Sequence, residues 1–69
     1  MSKFAQRLKE LRVARGKHQK DMADYLSIRT RSYQAYEGGE REPSIDRLIA
    51  IADYLDVTLD YLVGRTDAP

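Results

Sequence analysis

An all-α domain of five short helices is the fold that this sequence predicts, and three observations carry the prediction. Apolar residues recur at spacings of three and four along most of the chain, the mark of helices with one buried side. No segment alternates apolar and polar residues for long enough to make a strand. The periodic segments lie only a few residues apart, punctuated by Gly16, Gly38-Gly39, Pro43 and Gly64. At 69 residues the chain is expected to form one compact domain, near the lower size at which a core holds without disulfide or metal.

Each element has its own signals. Ser2 can cap a first helix whose stripe is Phe4, Leu8 and Leu11, with Ala14 beside it and Gly16 as its stop. A second helix over Gln19 to Leu26 is apolar at Met22, Ala23, Tyr25 and Leu26. The third occupies the stretch "SIRTRSYQAYEGG". Pro43 stops the chain before Ser44, an N-cap, and Asp46 sits in the following first turn, where the helix dipole favours an anion. Ile45, Leu48, Ile49, Ala52 and Leu55 then make the stripe of a fourth helix. Thr58 can cap a last one holding Leu59, Leu62 and Val63 and ended by Gly64. The domain is thus expected over residues 1–64, with 65–69 as a loose C-terminal tail.

Composition excludes several classes of function. The chain has no cysteine and a single histidine, so no metal site and no cofactor are expected. The longest apolar run, Leu48 to Ala52, falls far short of the ~20 residues that span a bilayer. The N-terminal "MSKFAQRLKE" is charged and lacks a signal-peptide core, so a cytoplasmic protein without membrane attachment is expected. No His, Cys or Ser constellation suits catalysis, and the acidic residues sit singly on outer helical faces. The chain is not expected to be an enzyme.

Charge is divided along the chain. Residues 1–36 carry nine cations against three anions, +6, and residues 37–69 carry three against eight, −5. A basic half and an acidic half within one small domain point to a polyanion on one side.

The third helix says which side. At about 100° per residue, Tyr33 and Tyr36 share one face, while Thr30, Arg31, Gln34 and Ala35 occupy the opposite one. The tyrosines belong to the core and the cation-amide face to a partner. Arg can donate twice to guanine, Gln can pair with adenine, and a Thr or Ala methyl can touch a thymine methyl.

The run "KHQKDMADYLSIRTRSYQAYEGGEREPS" resembles the helix-turn-helix of the lambda-repressor-like, Cro-type (XRE) family. The resemblance extends from "FAQRLKELRVARG" through "PSIDRLIAIADYLDVTLDYLVGRTD", and rests most on Gln19, Ala23, "YEGG" and "REPS". It implies a lambda-repressor-like fold whose third helix lies in the major groove while the second crosses the backbone. On that resemblance Thr30, Arg31, Gln34 and Ala35 read bases, and Gln19 and Ser32 meet phosphate; the cations Lys20, Arg29 and Arg41 around these helices are expected to meet the DNA backbone as well. Arg12 and Glu37 match an internal ion pair. The family dimerises through its C-terminal helix, and because "TLDYLVG" holds more apolar residues than a short helix can bury, Leu59, Tyr61 and Leu62 are expected to form a dimer surface, the alternative being that they close the monomer core.

The chain also departs from the family pattern. Lys17 and His18 stand where an apolar residue and a Ser or Thr cap precede the glutamine, so the second helix is expected to start poorly. Ser27 replaces the turn glycine and must accept a positive φ or change the turn. Arg29 replaces a small cap, Gly38 a common asparagine, and Glu40 and Glu42 stand in a loop where relatives place cations.

The resulting expectation is a sequence-specific transcriptional regulator, a repressor rather than an activator, binding a palindromic operator in double-stranded DNA as a homodimer. Its regulation is expected from a protein partner, from concentration or from operator overlap. The alternative is a protein-interaction module, such as an antitoxin or anti-repressor domain, on the same fold. RNA binding is disfavoured because the tyrosines are expected to point inward, leaving no aromatic platform.

Overall fold

The computed structural model describes residues 3–69. Among the described residues five helices follow one another: α1 (Phe4–Ala14), α2 (Gln19–Leu26), α3 (Thr30–Glu37), α4 (Ile45–Leu55) and α5 (Leu59–Leu62). The described residues contain no strand. Ser2, expected to cap α1, lies outside the described residues, and Lys3 at the N-cap makes no side-chain capping bond.

All five helices are followed by one residue of positive φ: Gly16, Ser27, Gly39, Asp56 and Gly64. At each, the amide of the next residue folds back to a carbonyl five positions earlier. Lys17 donates to Arg12, Ile28 to Ala23, Glu40 to Ala35, Val57 to Ala52 and Arg65 to Asp60. This pattern satisfies carbonyls that the helix itself leaves open. Ser27 (φ 57°) and Asp56 (φ 58°) adopt it without being glycine, so each carries backbone strain. The turn between α2 and α3 is thus made through a left-handed residue although it holds no glycine.

The helix starts use different devices. Ser44 Oγ accepts from the Arg47 amide at 3.3 Å, and Thr58 Oγ1 from the Tyr61 amide at 3.1 Å. The expectation of a poor start for α2 does not hold. Asp21 turns back and accepts the His18 amide at 2.7 Å, which supplies the missing cap from the third position of the helix.

The core collects Phe4, Leu8 and Leu11 of α1, Met22 and Ala23 of α2, and Tyr33 and Tyr36 of α3. Ile51, Ala52 and Leu55 of α4 and Leu62 of α5 complete it. Four expectations need correction. Ala14 is exposed. Ile45 and Ile49 are 66% and 44% exposed, whereas Ile51, which lies off the expected stripe, is fully buried. The reason is that α4 is apolar nearly all round, so its packing against α2 and α5 chooses the inner face. Tyr25 is 47% exposed and stacks on Tyr54 with ring centroids 4.1 Å apart, so an aromatic pair does lie at the surface. Residues 65–69 are not loose. Arg7 donates to the carbonyls of Tyr61 and Thr66, each at 2.7 Å, and its guanidinium lies over the Tyr61 ring. The Thr58 amide reaches Pro69 O at 3.2 Å, so the segment runs back along α5.

Candidate nucleic-acid interface

The surface of interest is the outer side of α3, and its position is fixed from beneath. Arg12 on α1 donates to Glu37 at the end of α3 through Nε at 2.6 Å and Nη2 at 3.2 Å. Both side chains are largely buried. The Tyr33 hydroxyl donates to the same carboxylate at 2.5 Å, and Gln19 Nε2 at 3.2 Å. Burial works against the Glu37 charge, but the hydrogen bonds from Arg12, Tyr33 and Gln19 outweigh it and hold this carboxyl below its ordinary range. Burial, reinforced by the bond to Glu37, pushes the Tyr33 phenol up. The Arg12 guanidinium is raised by its hydrogen bonds to Glu37. Its Nη1 also donates to the Lys17 carbonyl at 2.9 Å, tying in the α1–α2 turn. A buried pair of this kind adds little net stability, but removing one partner leaves an uncompensated charge.

From this anchor a line of hydrogen bonds runs outward. Gln19 donates to Glu37, and its Oε1 accepts from Gln34 Nε2 at 3.0 Å. One of the two exposed polar residues on the outer face of α3 is thereby tethered to the buried ion pair. Gln19 keeps one amide hydrogen for an external acceptor. On the inner side, Arg47 Nη1 donates to the Tyr36 hydroxyl at 3.0 Å, which joins the start of α4 to α3.

The sequence-predicted residues fall as follows. Arg31, Ser32, Gln34 and Ala35 line one open groove together with Glu40 and Arg41. Arg31 and Gln34 are exposed and Thr30, Ser32 and Ala35 half-buried; Thr30 lies outside the groove lining. Arg29 stands exposed at the start of α3, and Lys20 is exposed on α2, paired with Asp24 at 2.9 Å. Leu62 is fully buried in the core of its own chain. It closes the monomer and offers nothing to a partner, which corrects the expectation that it lines a dimer surface. Leu59 and Tyr61 are half-buried. Sequence reasoning missed the Tyr33 hydroxyl, the Gln19–Gln34 bond and the Arg47–Tyr36 bond. The first of these had a readable signal, since Tyr33 and Glu37 are four apart on one helix.

Among the described residues no group of His, Cys, Asp and Glu could hold a metal ion. No described helix is long and apolar enough to cross a membrane.

Comparison with known proteins agrees with this geometry. A helix-turn-helix family model matches residues 8–62. An HTH-type transcriptional regulator of Bacillus subtilis, YqaE, is 47% identical over 60 residues, covering 87% of this chain and 52% of its own. The cryptic phage CTXphi transcriptional repressor RstR of Vibrio cholerae is 43% identical over 63 residues, covering 91% and 56%. The chain thus spans between half and three fifths of the length of these curated relatives. In the crystal structure of a transcriptional regulator from Listeria innocua, 60% of that chain superposes on 93% of this one with a TM-score of 0.87 and 34% identity. The restriction-modification controller protein C.AhdI from Aeromonas hydrophila superposes with a TM-score of 0.79 and 33% identity, covering 87% of this chain and 91% of its own. This chain belongs to the XRE-type helix-turn-helix family of DNA-binding transcriptional regulators.

Proposed function

We propose that this protein is a cytoplasmic repressor that reads a palindromic operator in double-stranded DNA as a homodimer. The observation that carries the reading is the arrangement of α3. Its inner face is locked by Tyr33, Tyr36 and the Arg12–Glu37 pair. Its outer face presents Arg31, Gln34 and Ala35 in one groove. Arg31 donates to a guanine edge, Gln34 to an adenine, and the Ala35 and Thr30 methyls meet thymine. Gln19, Lys20, Arg29, Ser32 and Arg41 hold the phosphates on either side and set the register.

Size supports the dimer. The domain measures 29 × 24 × 20 Å, whereas successive half-sites on one face of the duplex lie about 34 Å apart. One copy covers one half-site. Leu59 and Tyr61, with the exposed Ile45 and Ile49 of α4, form the surface we assign to the second copy. Repression then follows from occupancy of the operator, with control by a partner protein, by concentration or by operator overlap.

Selection from a random duplex pool tests this reading. Enrichment of a palindrome with half-sites one helical turn apart is expected. A pool that stays random, or retention independent of sequence, would contradict it.

A further inference from the structure

We propose that Glu40 is a specificity-determining residue that accepts a hydrogen bond from the amino group of a cytosine, at a base pair facing the C-terminal end of α3. The inference rests on the DNA-reading role proposed above and adds a residue outside the recognition helix to it. Gly38 lies on the same helical row as Gln34 and Arg31, one and two turns further on, but has no side chain to present. A Cβ built there would stand 3.2 Å from Glu40 Oε1. The carboxylate therefore fills the place that a side chain at position 38 would take.

The backbone puts it there. The amides of Glu40 and Arg41 both donate to the Ala35 carbonyl, at 3.0 and 3.3 Å. This turn carries residues 40 and 41 back over the last turn of α3, where both line the groove with Arg31, Ser32, Gln34 and Ala35. Among the described residues Glu40 takes part in no ion pair, unlike Glu37, whose carboxylate is fully occupied.

Chemistry then selects the ligand. An ionised carboxylate only accepts hydrogen bonds, and phosphate oxygens only accept as well. The donors on the major-groove floor are the amino groups of cytosine and adenine. Adenine sets its N7 acceptor beside its amino group, where it repels the second carboxylate oxygen. Cytosine has no such neighbour. The groove is thus complementary to a guanine under Arg31 and to a cytosine under Glu40. A thymine or guanine at that second place would face the carboxylate with an acceptor. Arg41, exposed beside Glu40, supplies the phosphate grip that Glu40 and Glu42 would otherwise oppose.

The test compares the full chain with its Glu40→Ala, Glu40→Gln and Arg31→Ala variants. Each is measured against duplexes drawn from the random-pool selection, every operator base pair replaced in turn, with circular dichroism confirming that the variants fold. The wild type is expected to lose roughly ten- to hundredfold in affinity when one C·G pair per half-site is changed to T·A. Glu40→Ala abolishes that loss at this pair alone, and Glu40→Gln shifts the preference there towards adenine. Arg31→Ala leaves it intact while relaxing a different pair. If Glu40→Ala raises affinity evenly for every duplex, or leaves the ranking unchanged while Arg31→Ala alters it, the proposal is overturned and the reading role of α3 stands. If neither variant alters the ranking, the DNA-reading role itself fails.

Discussion

α3 and α4 dispose of their apolar residues in opposite ways. In α3 the division is complete: Tyr33 and Tyr36 are buried, Glu37 is paired beneath, and Arg31 and Gln34 stand outside. In α4 apolar residues run nearly all the way round. Ile51, Ala52 and Leu55 go inside, and Ile45 and Ile49 stay in solvent. A helix with one apolar side declares its own orientation. A helix with several has its orientation decided by its neighbours, and the apolar surface left over is a cost unless something covers it. On this account α3 offers its surplus groups to DNA and α4 offers its surplus to a second copy.

The largest effect should come from breaking the anchor of α3. Arg12→Ala leaves Glu37 buried without its cation and should cost about 3–5 kcal/mol in urea unfolding. Because the native state holds the Glu37 carboxyl below its ordinary value of 4.5, its contribution is fully present above that pH. It is lost as pH falls through the depressed native value. Glu37→Gln should therefore unfold with a weaker acid dependence below pH 4.5 than the wild type. An unchanged acid limb would show that the ion pair does not hold α3.

The next effect sharpens the α4 side of the contrast. Burying an isoleucine side chain is worth about 1.5–3 kcal/mol, and a two-fold interface counts each residue twice. Replacing Ile45 and Ile49 by serine should weaken self-association by about a hundredfold or more in sedimentation. The thermal melting of the monomer should hardly move, since neither residue is in the core. A variant that melts early while still dimerising would reverse the assignment.

Smaller effects belong to the turns and the acidic half. Ser27→Gly and Asp56→Gly should each stabilise the fold by about 0.5–1 kcal/mol, because glycine relieves the positive φ at a modest entropic cost. If α4 faces a second copy and not the phosphates, as proposed, Asp53→Asn with Asp56→Asn should change operator affinity by less than about 0.5 kcal/mol at moderate salt. A large gain in affinity would mean that α4 lies against DNA.

The parts of this molecule that the sequence made legible share one property: their signals are local. The extent of α2, the cap of α4 by Ser44 and the split of α3 all lie within a few residues of their cause. At Ser27 the sequence left two outcomes open, a positive φ or a changed turn, and the structure has the first. The segment after Gly64 was not legible because two of Arg7's acceptors are backbone carbonyls, which leave no trace in residue identity. The outward turn of Tyr25 was hidden for a related reason. Its partner Tyr54 is far away in sequence, and an apolar pattern does not distinguish a core tyrosine from one stacked on the surface. The capping of α2 by Asp21 was local but lay after the cap position, where the absence of a Ser or Thr drew attention first.

The central claim is that the outer face of α3 reads bases while the groups around it grip phosphate. It is tested most directly by measuring wild type, Arg31→Ala and Lys20→Ala against every single-base variant of the selected operator at two salt concentrations. Arg31→Ala should cost about 1–3 kcal/mol on the selected site and erase the preference at one base pair per half-site. Lys20→Ala should weaken all variants alike and lower the salt slope by about one. If Arg31→Ala instead preserves the ranking and only flattens the salt dependence, Arg31 grips the backbone and the account of α3 as the reading element is contradicted.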